Sequence, residues 1–273
     1  MIRKNGILLY DRADAERNRW FIQRLCEAAE PEGLSLRLCI REELCISEIS
    51  ADFLINRSRN AGISRFCEEE LRIPVYNSAQ VTDITNDKYK THLFLRAHGL
   101  PTADTVLVED AQFPRSAMPP LVAKPLCGHG GEGVRMLSDL YALKQAEREM
   151  PRPLLLQEPV QTGWDTRVYV MGGEIYAAVL RTSDSDFRSN YSLGGSAALM
   201  QPDSEMQALV SRVQAALPLD FAGVDFLRRK DGSYVIGEIE DAVGCRMLYA
   251  LTAFDPAADF IRMISGRLLK CSK

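Results

Sequence analysis

The segment AKPLCGHGGEGVRM, Ala123–Met136, restricts the fold more than any other part of the chain. Gly128, Gly130 and Gly133 have the spacing G-x-G-x-x-G, with Gly131 in the same loop, but Val134–Leu137 reads as a strand. A dinucleotide fingerprint must open a helix whose N-terminus receives the pyrophosphate, and a phosphate loop needs Gly-Lys-Ser/Thr, which does not follow here. What remains is strand, glycine loop, strand: a hairpin tip whose backbone N–H groups can approach phosphates closely. Lys124, just before the loop, adds a point charge, and Lys88 in NDKYK offers a second. A plain glycine-rich turn is the bland alternative. A second lysine and a nearby acid cluster weaken it.

The acid cluster ends the stretch YVIGEIEDAVG, Tyr234–Gly244. With Asp231-Gly232 as a two-residue hairpin turn, Lys230 pairs with Ser233 and Asp225 falls opposite Glu238. Side-chain alternation then puts Asp225, Glu238 and Glu240 on one face, beside Leu227, Ile236 and Tyr234. Opposed acids on such a face need neutralising. Arg228, on the other face, and Lys230, at the hairpin tip, are poorly placed to do it. A divalent cation with oxygen ligands answers the pattern: Mg2+ where phosphates share the site, with Mn2+ as a substitute. A solvated sheet face is the alternative.

Along the chain, GILLY reads as a strand, Ala13–Ala29 as a helix with Trp20, Phe21, Leu25 and Ala28 on one side, and LSLRLCI and FLINRS as strands. A second helix around Ile63–Leu71 and a short IPVYN complete a three-layer α/β unit with a parallel sheet. A further helix starts at TNDKYKTHLFLRAHGLP, capped by Thr85 or Asn86 and closed by Gly99 and Pro101. Hairpins follow, marked by Gly172-Gly173 and Asp231-Gly232, with a helix around Glu205–Leu217 between the last two. LLLQEPV ends a strand at Gln157, Glu158, Pro159 and Val160, where backbone could read an adenine edge. Asp165 in GWDTR could accept from a ribose or a lysine. Thr182–Ser196 is a long polar loop of the kind that serves as a lid.

The 273 residues, 46% hydrophobic and 26% charged, suit a globular protein with a substantial core. A net charge of −4 argues against a nucleic-acid scaffold. The seven scattered cysteines form no CxxC pair, and with three histidines they leave little material for a zinc cluster. Reduced thiols, no signal peptide and no apolar run of membrane-spanning length lead to the expectation of a soluble cytoplasmic protein.

The ordered motifs INRSRN, NDKYKTHLFLRAHGLPT, LVAKPLCGHGGEGV, LLQEPV…WDTRVYV, DFRSN…GG, AGVDFL and GEIE…G resemble the RimK-type branch of the ATP-grasp ligases. The likeness runs from about Ile55 to Gly244, and DFRSN followed by Gly-Gly is its branch-specific element. The resemblance implies an N-terminal α/β domain (1–82), a lid with the glycine loop (83–153) and a β-rich C-terminal domain (154–273). ATP would be clasped between the last two. It also implies ATP-dependent joining of a carboxylate to an amine, often an amino acid such as glutamate to a peptide, protein or metabolite. By position, Lys88 and Lys124 would hold the phosphates, Glu158 and its neighbour would border the adenine, and Asp165 would lie at the nucleoside. Arg188, Ser189 and Asn190 would close on nucleotide and acyl group, and Asp225 and Glu238 would bind Mg2+. Homo-oligomers are common in the family.

The sequence departs from the pattern at Glu240, where the family usually has Asn, at Val243 in place of Pro, and at His129 in place of a small residue. The expected reaction forms an acylphosphate and ADP, after which the amine displaces phosphate. Arg181 and Arg188 are the candidates for stabilising the transferring charge. The other readings are an ATP-binding regulatory protein without ligase activity, favoured by Glu240, and an ATP-grasp kinase that stops after phosphorylation.

Overall fold

The computed structural model describes residues 3–110, 112–128, 130–160, 163–183 and 195–271. Its elements run β1 (Lys4–Tyr10), α1 (Arg12–Arg17), α2 (Arg19–Ala29), β2 (Leu34–Ile40), β3 (Phe53–Asn56), α3 (Ala61–Glu69), β4 (Val75–Tyr76), α4 (Ala79–Thr85) and α5 (Lys88–Ala97). Then come β5 (Thr105–Val108), β6 (Leu121–Pro125), β7 (Arg135–Leu137), α6 (Leu140–Glu149), β8 (Leu154–Gln157), β9 (Trp164–Met171) and β10 (Glu174–Thr182). The chain continues through β11 (Ser196–Met200), α7 (Ser204–Ala216), β12 (Phe221–Arg228), β13 (Tyr234–Glu240), α8 (Arg246–Leu251) and α9 (Pro256–Cys271).

The N-terminal sheet is parallel, in the order β2-β1-β3-β4. Its central strand is apolar on both faces because both are covered. Leu8 and Tyr10 face α2 through Phe21, Leu25 and Ala29. Ile7 and Leu9 face the side of α3 through Cys67. The expected helix over Ala13–Ala29 is in fact two. Asn18 ends the first by donating its side-chain amide to the Asp14 carbonyl at 2.8 Å, the local competition with helix hydrogen bonding typical of Asn. The break re-phases the second helix, so Trp20, expected on one side with Phe21 and Leu25, is 52% exposed while they are buried, and it meets Tyr249 edge-on at 4.6 Å.

The second sheet is antiparallel, in the order β11-β10-β9-β12-β13. Gly172 and Gly173, both at positive φ, form the tight turn expected between β9 and β10. One face of the sheet, including Val168, Val170, Val224, Phe226 and Ile239, packs on α7 through Leu209, Val210 and Val213. Alternation turns Asp165, Arg167, Asp225 and Leu227 to the other side, toward a cleft. α9 joins this sheet to the N-terminal one: Phe260, Ile261 and Ile264 share a core with Leu8, Phe53, Tyr169 and Phe221.

The third sheet is antiparallel, in the order β5-β8-β6-β7, with α6 over it. The glycine loop joins β6 to β7, as strand–loop–strand reasoning required. β8 pairs with both β5 and β6, so a domain boundary at 153/154 would cut this sheet. The break in the motif pattern there lies between strands of one sheet, because their pairing partners are distant in sequence. α5 is capped by Asp87, one residue beyond the expected Thr85 or Asn86; its carboxylate accepts from the Tyr89 and Lys90 N–H groups at 2.8 and 3.1 Å.

Candidate active site

A cleft of about 950 Å3 lies between the glycine-loop sheet, the polar face of the five-stranded sheet, and the C-terminal ends of β1 and β3. Lys88 and Lys124 enter it from α5 and β6. Lys88 Nζ donates to the Gly128 carbonyl at 2.6 Å and lies 3.0 Å from Glu238 Oε1. Lys124 Nζ donates to Gln157 Oε1 at 2.6 Å, and Gln157 Nε2 donates to Thr105 Oγ1 at 2.9 Å. The Gln157 side chain therefore orients Lys124. Burial lowers the Lys124 ammonium pKa, Glu238 opposes the shift, and Lys88 adds to it. These cations face a loop whose glycines at 128, 130, 131 and 133 all have positive φ. A Cβ at Gly128 or Gly130 would meet nothing within 4 Å, so backbone there borders open space.

The acids are neutralised in a way the sequence reading passed over. Arg167 on β9 donates to Asp225 through Nε and Nη2, both at 2.7 Å, and its Nη1 lies 2.6 Å from Glu240 Oε2. Arg181 on β10 donates to Asp165 at 2.5 and 2.6 Å and to Asp225 at 2.7 Å. Asp165, Arg181, Asp225, Arg167 and Glu240 thus form a buried ladder across neighbouring strands. Burial alone would push the Asp225 carboxyl up, but the two guanidiniums outweigh it and hold it well below the ordinary carboxylate range. Arg181 is 4% exposed, anchored inside the site. Among the described residues no group of three or more His, Cys, Asp or Glu is disposed to hold a metal.

Asp225 does stand opposite Glu238, through two offsetting departures from the simple count. The turn has three residues, with Arg229 N–H donating to the Ser233 carbonyl at 2.8 Å. A bulge at Gly237 then restores the register between Phe226 and Asp225. The bulge moves Tyr234 and Ile236 to the α7 face, so they are not neighbours of the acids as expected. Gly223, opposite Glu240, shows how tightly the ladder is packed: a Cβ there would lie 2.8 Å from Val243 Cγ2 and 3.3 Å from Arg167 Nε. Gly223→Ala is expected to lower stability by about 1–3 kcal/mol. A urea melt matching wild type would show that Arg167 and the Val243 segment yield freely.

The remaining expected residues are distributed unevenly. Glu158 and Val160 line the cleft; Gly133 and Pro159 do not. The Glu158 N–H donates to the Asp104 carbonyl at 2.9 Å, and its carboxylate accepts from Arg229 at 2.9 Å. Arg188, Ser189 and Asn190, with His129 and most of the expected lid, lie outside the described residues. Arg167 is the cleft residue that sequence reasoning missed. Its signal was present: WDTR places Asp165 and Arg167 on the same face of one strand.

A lysine-flanked glycine hairpin faces acids on a second antiparallel sheet, with a parallel α/β unit closing the cleft, and the fold is that of the ATP-grasp ligases. Residues 85–264 match the family model of the RimK-like ATP-grasp domain, and the chain belongs to that family. Its ligases are ADP-forming, make C–N bonds, and use ATP and magnesium. An uncharacterised protein of Mycoplasma pneumoniae is 26% identical over 266 residues, covering 96% of this chain and 91% of that one. A probable alpha-L-glutamate ligase of Xanthomonas euvesicatoria is 32% identical over 189 residues, 65% of this chain and 64% of that one. The crystal structure of a D-cycloserine synthetase superposes with a TM-score of 0.75 at 20% identity, covering 97% and 99% of the two chains. No helix among the described residues is long and apolar enough to cross a membrane.

Proposed function

We propose that this chain is a carboxylate–amine ligase acting through an acylphosphate, adding an amino acid such as glutamate to a peptide, protein or small-molecule amine. The observation that carries the reading is the convergence of Lys88 and Lys124 on the glycine loop opposite Glu238. Two ammonium groups, a backbone hairpin at positive φ and a facing carboxylate suit a polyphosphate and its cation. A substrate carboxylate oxygen attacks the γ-phosphorus, the bond to the β-phosphate oxygen breaks, and ADP leaves. The amine nitrogen then attacks the acyl carbon, phosphate departs, and the nitrogen gives up a proton. Lys88 and Lys124 neutralise charge on the transferring group.

Along the purine edge, Glu158 has committed its N–H and Pro159 has none, which makes Val160 the backbone donor. Glu238 and Glu240 each engage one oxygen with a cation among the described residues, so they are the first Mg2+ ligands, with Mn2+ as a substitute. Asp225 joins them only when Arg167 or Arg181 turns aside. Arg188, Ser189 and Asn190 would engage the nucleotide and acyl group, and Arg181 and Arg188 would stabilise the acyl phosphate. The name of the Xanthomonas relative supports glutamate as a substrate. Cys26, Cys39, Cys45, Cys67, Cys127 and Cys245 are free thiols, which fits the reducing cytoplasm expected for it.

The test is ADP release with Mg-ATP and pooled carboxylic and amino acids, with hydroxylamine trapping acylphosphate as hydroxamate. Hydroxamate dependent on one acid, and lost in Glu238→Gln, supports the ligase. Glu238 has a side chain 35% exposed, so its variant keeps the fold. ADP with a stable phosphorylated product and no amide would identify a kinase instead.

A further inference from the structure

One end of the cleft has donors that the ATP site does not use. In a parallel sheet ordered β2-β1-β3-β4, the connections leave β1 and β3 on opposite sides, and a crevice opens at their C-terminal ends. Tyr10 ends β1 and Arg57 directly follows β3. Both line the cleft, yet they are only 1% and 7% exposed. Arg57 is firmly held. Its backbone N–H donates to the Leu9 carbonyl at 2.8 Å, Nη2 donates to the Val243 carbonyl at 2.9 Å, and the guanidinium lies 5.2 Å from the Phe21 ring centroid.

Arg57 Nε and Tyr10 Oη, by contrast, meet no partner of hydrogen-bond geometry among the described residues. The guanidinium lies 5.8 Å from the Tyr10 ring centroid and acts on the phenol through its charge and a side-chain contact, but that contact falls short of hydrogen-bond geometry and leaves the phenol O–H without an acceptor. Buried polar atoms without a well-placed partner are costly and rare, and here two belong to neighbouring residues that line the cleft, just beneath its surface. Arg17, Arg59 and Arg246 also line it, with Asp14 as the neighbouring acid. Asp14 is engaged by Arg17 and Arg59. Asp241, which also acts on Arg57, accepts from Asn86 and the Ala242 N–H through Oδ1, while its Oδ2 meets no partner of hydrogen-bond geometry among the described residues; Arg17, Arg57, Arg59 and Arg246 still outnumber Asp14 and Asp241. The balance favours an anion.

We propose that this crevice binds a substrate carboxylate other than the one being activated, which accepts hydrogen bonds from Arg57 Nε and Tyr10 Oη. Assigning that carboxylate to a substrate rests on the ligase reading; the anion site itself does not. Val243, which anchors Arg57, lies three residues beyond Glu240, so a compact molecule spans the acid edge and the crevice. Its source is a dicarboxylate acyl donor or an amino acid serving as the amine. A substrate without this group leaves both donors orphaned, and sites of that kind reject such an analogue strongly.

The experiment is calorimetric titration of the full chain with Mg2+ and a non-hydrolysable ATP analogue. Succinate against propionate and glutarate against butyrate report the acyl source; L-alanine against ethylamine reports the amine source. In at least one pair, the molecule with the additional carboxylate is expected to bind about tenfold more tightly or better, the scale of a hydrogen bond to a charged group. Tyr10→Phe should erase that preference while leaving the unfolding midpoint unchanged or raised, because the deleted hydroxyl has no partner. Arg57→Lys, which keeps the charge and loses the Nε–H, should weaken it. Equal binding within every pair, a preference that survives in Tyr10→Phe, or a destabilised Tyr10→Phe would each overturn the proposal. A preference without any hydroxamate would keep the crevice and sink the ligase. Hydroxamate from monocarboxylates with no preference would do the reverse.

Discussion

Asp225→Asn is expected to lose about 3–5 kcal/mol of stability, the range found when one partner of a buried ion pair is removed. Asp225 is 7% exposed and accepts three charged hydrogen bonds, from Arg167 and Arg181. Asn cannot neutralise them, so two buried guanidiniums share the remaining carboxylates, Asp165 and Glu240. The pH dependence has a definite sign. Because the folded Asp225 pKa is depressed, the unfolded chain takes up its proton first as pH falls. The contribution is fully present above the unfolded value of about 3.9 and is lost as pH drops below it. Wild-type urea midpoints should therefore hold nearly level from about pH 7 to 5 and fall steeply below about pH 4, with a shallower fall in the variant. Equal midpoints at neutral pH would show that the ladder adds nothing to the fold. A loss of activity in Asp225→Asn would therefore mix unfolding with lost cation binding, and Glu238→Gln is the better probe of the metal edge.

Lys124→Met is expected to lower ADP formation by about 100-fold to 1,000-fold, the usual result of deleting one preorganised electrostatic contact to a transition state. Stability should change little or rise. The ammonium is partly buried, its pKa is depressed chiefly by that burial, and methionine fills similar volume without a charge to desolvate. The pairing of a large activity loss with an unchanged thermal midpoint separates a phosphate-binding lysine from a structural one. Near-normal ADP release would remove Lys124 from the mechanism, leaving Gln157 and Thr105 orienting a side chain with no task.

Much of this site is local in character, and that part is readable in one dimension. The strand–glycine–strand pattern excluded a helix-opening nucleotide motif, and Lys124 belongs to the same fourteen-residue stretch, Ala123–Met136. Two-residue alternation put Asp225 and Glu238 on a shared face. The same alternation did not reveal the Gly237 bulge or the three-residue turn, because bulges and turn lengths depend on how two strands twist against each other. Asn18 was likewise visible as a residue, but whether its amide would break the helix depended on the competition between local hydrogen bonding and packing.

Composition, periodicity and motif order by themselves determined an α/β chain with a parallel N-terminal unit, a phosphate-suited hairpin and a facing acid pair. Only the tertiary structure decided what those acids touch. Arg167 and Arg181 reach Asp225 because β9, β10 and β12 lie together in one sheet, and a strand's neighbours are chosen by the packing of whole faces on α7 and α9. Tyr10 and Arg57, 47 positions apart in the chain, meet for the same reason: adjacent parallel strands end at the same edge, so a crevice belongs to the sheet and to no single stretch of sequence.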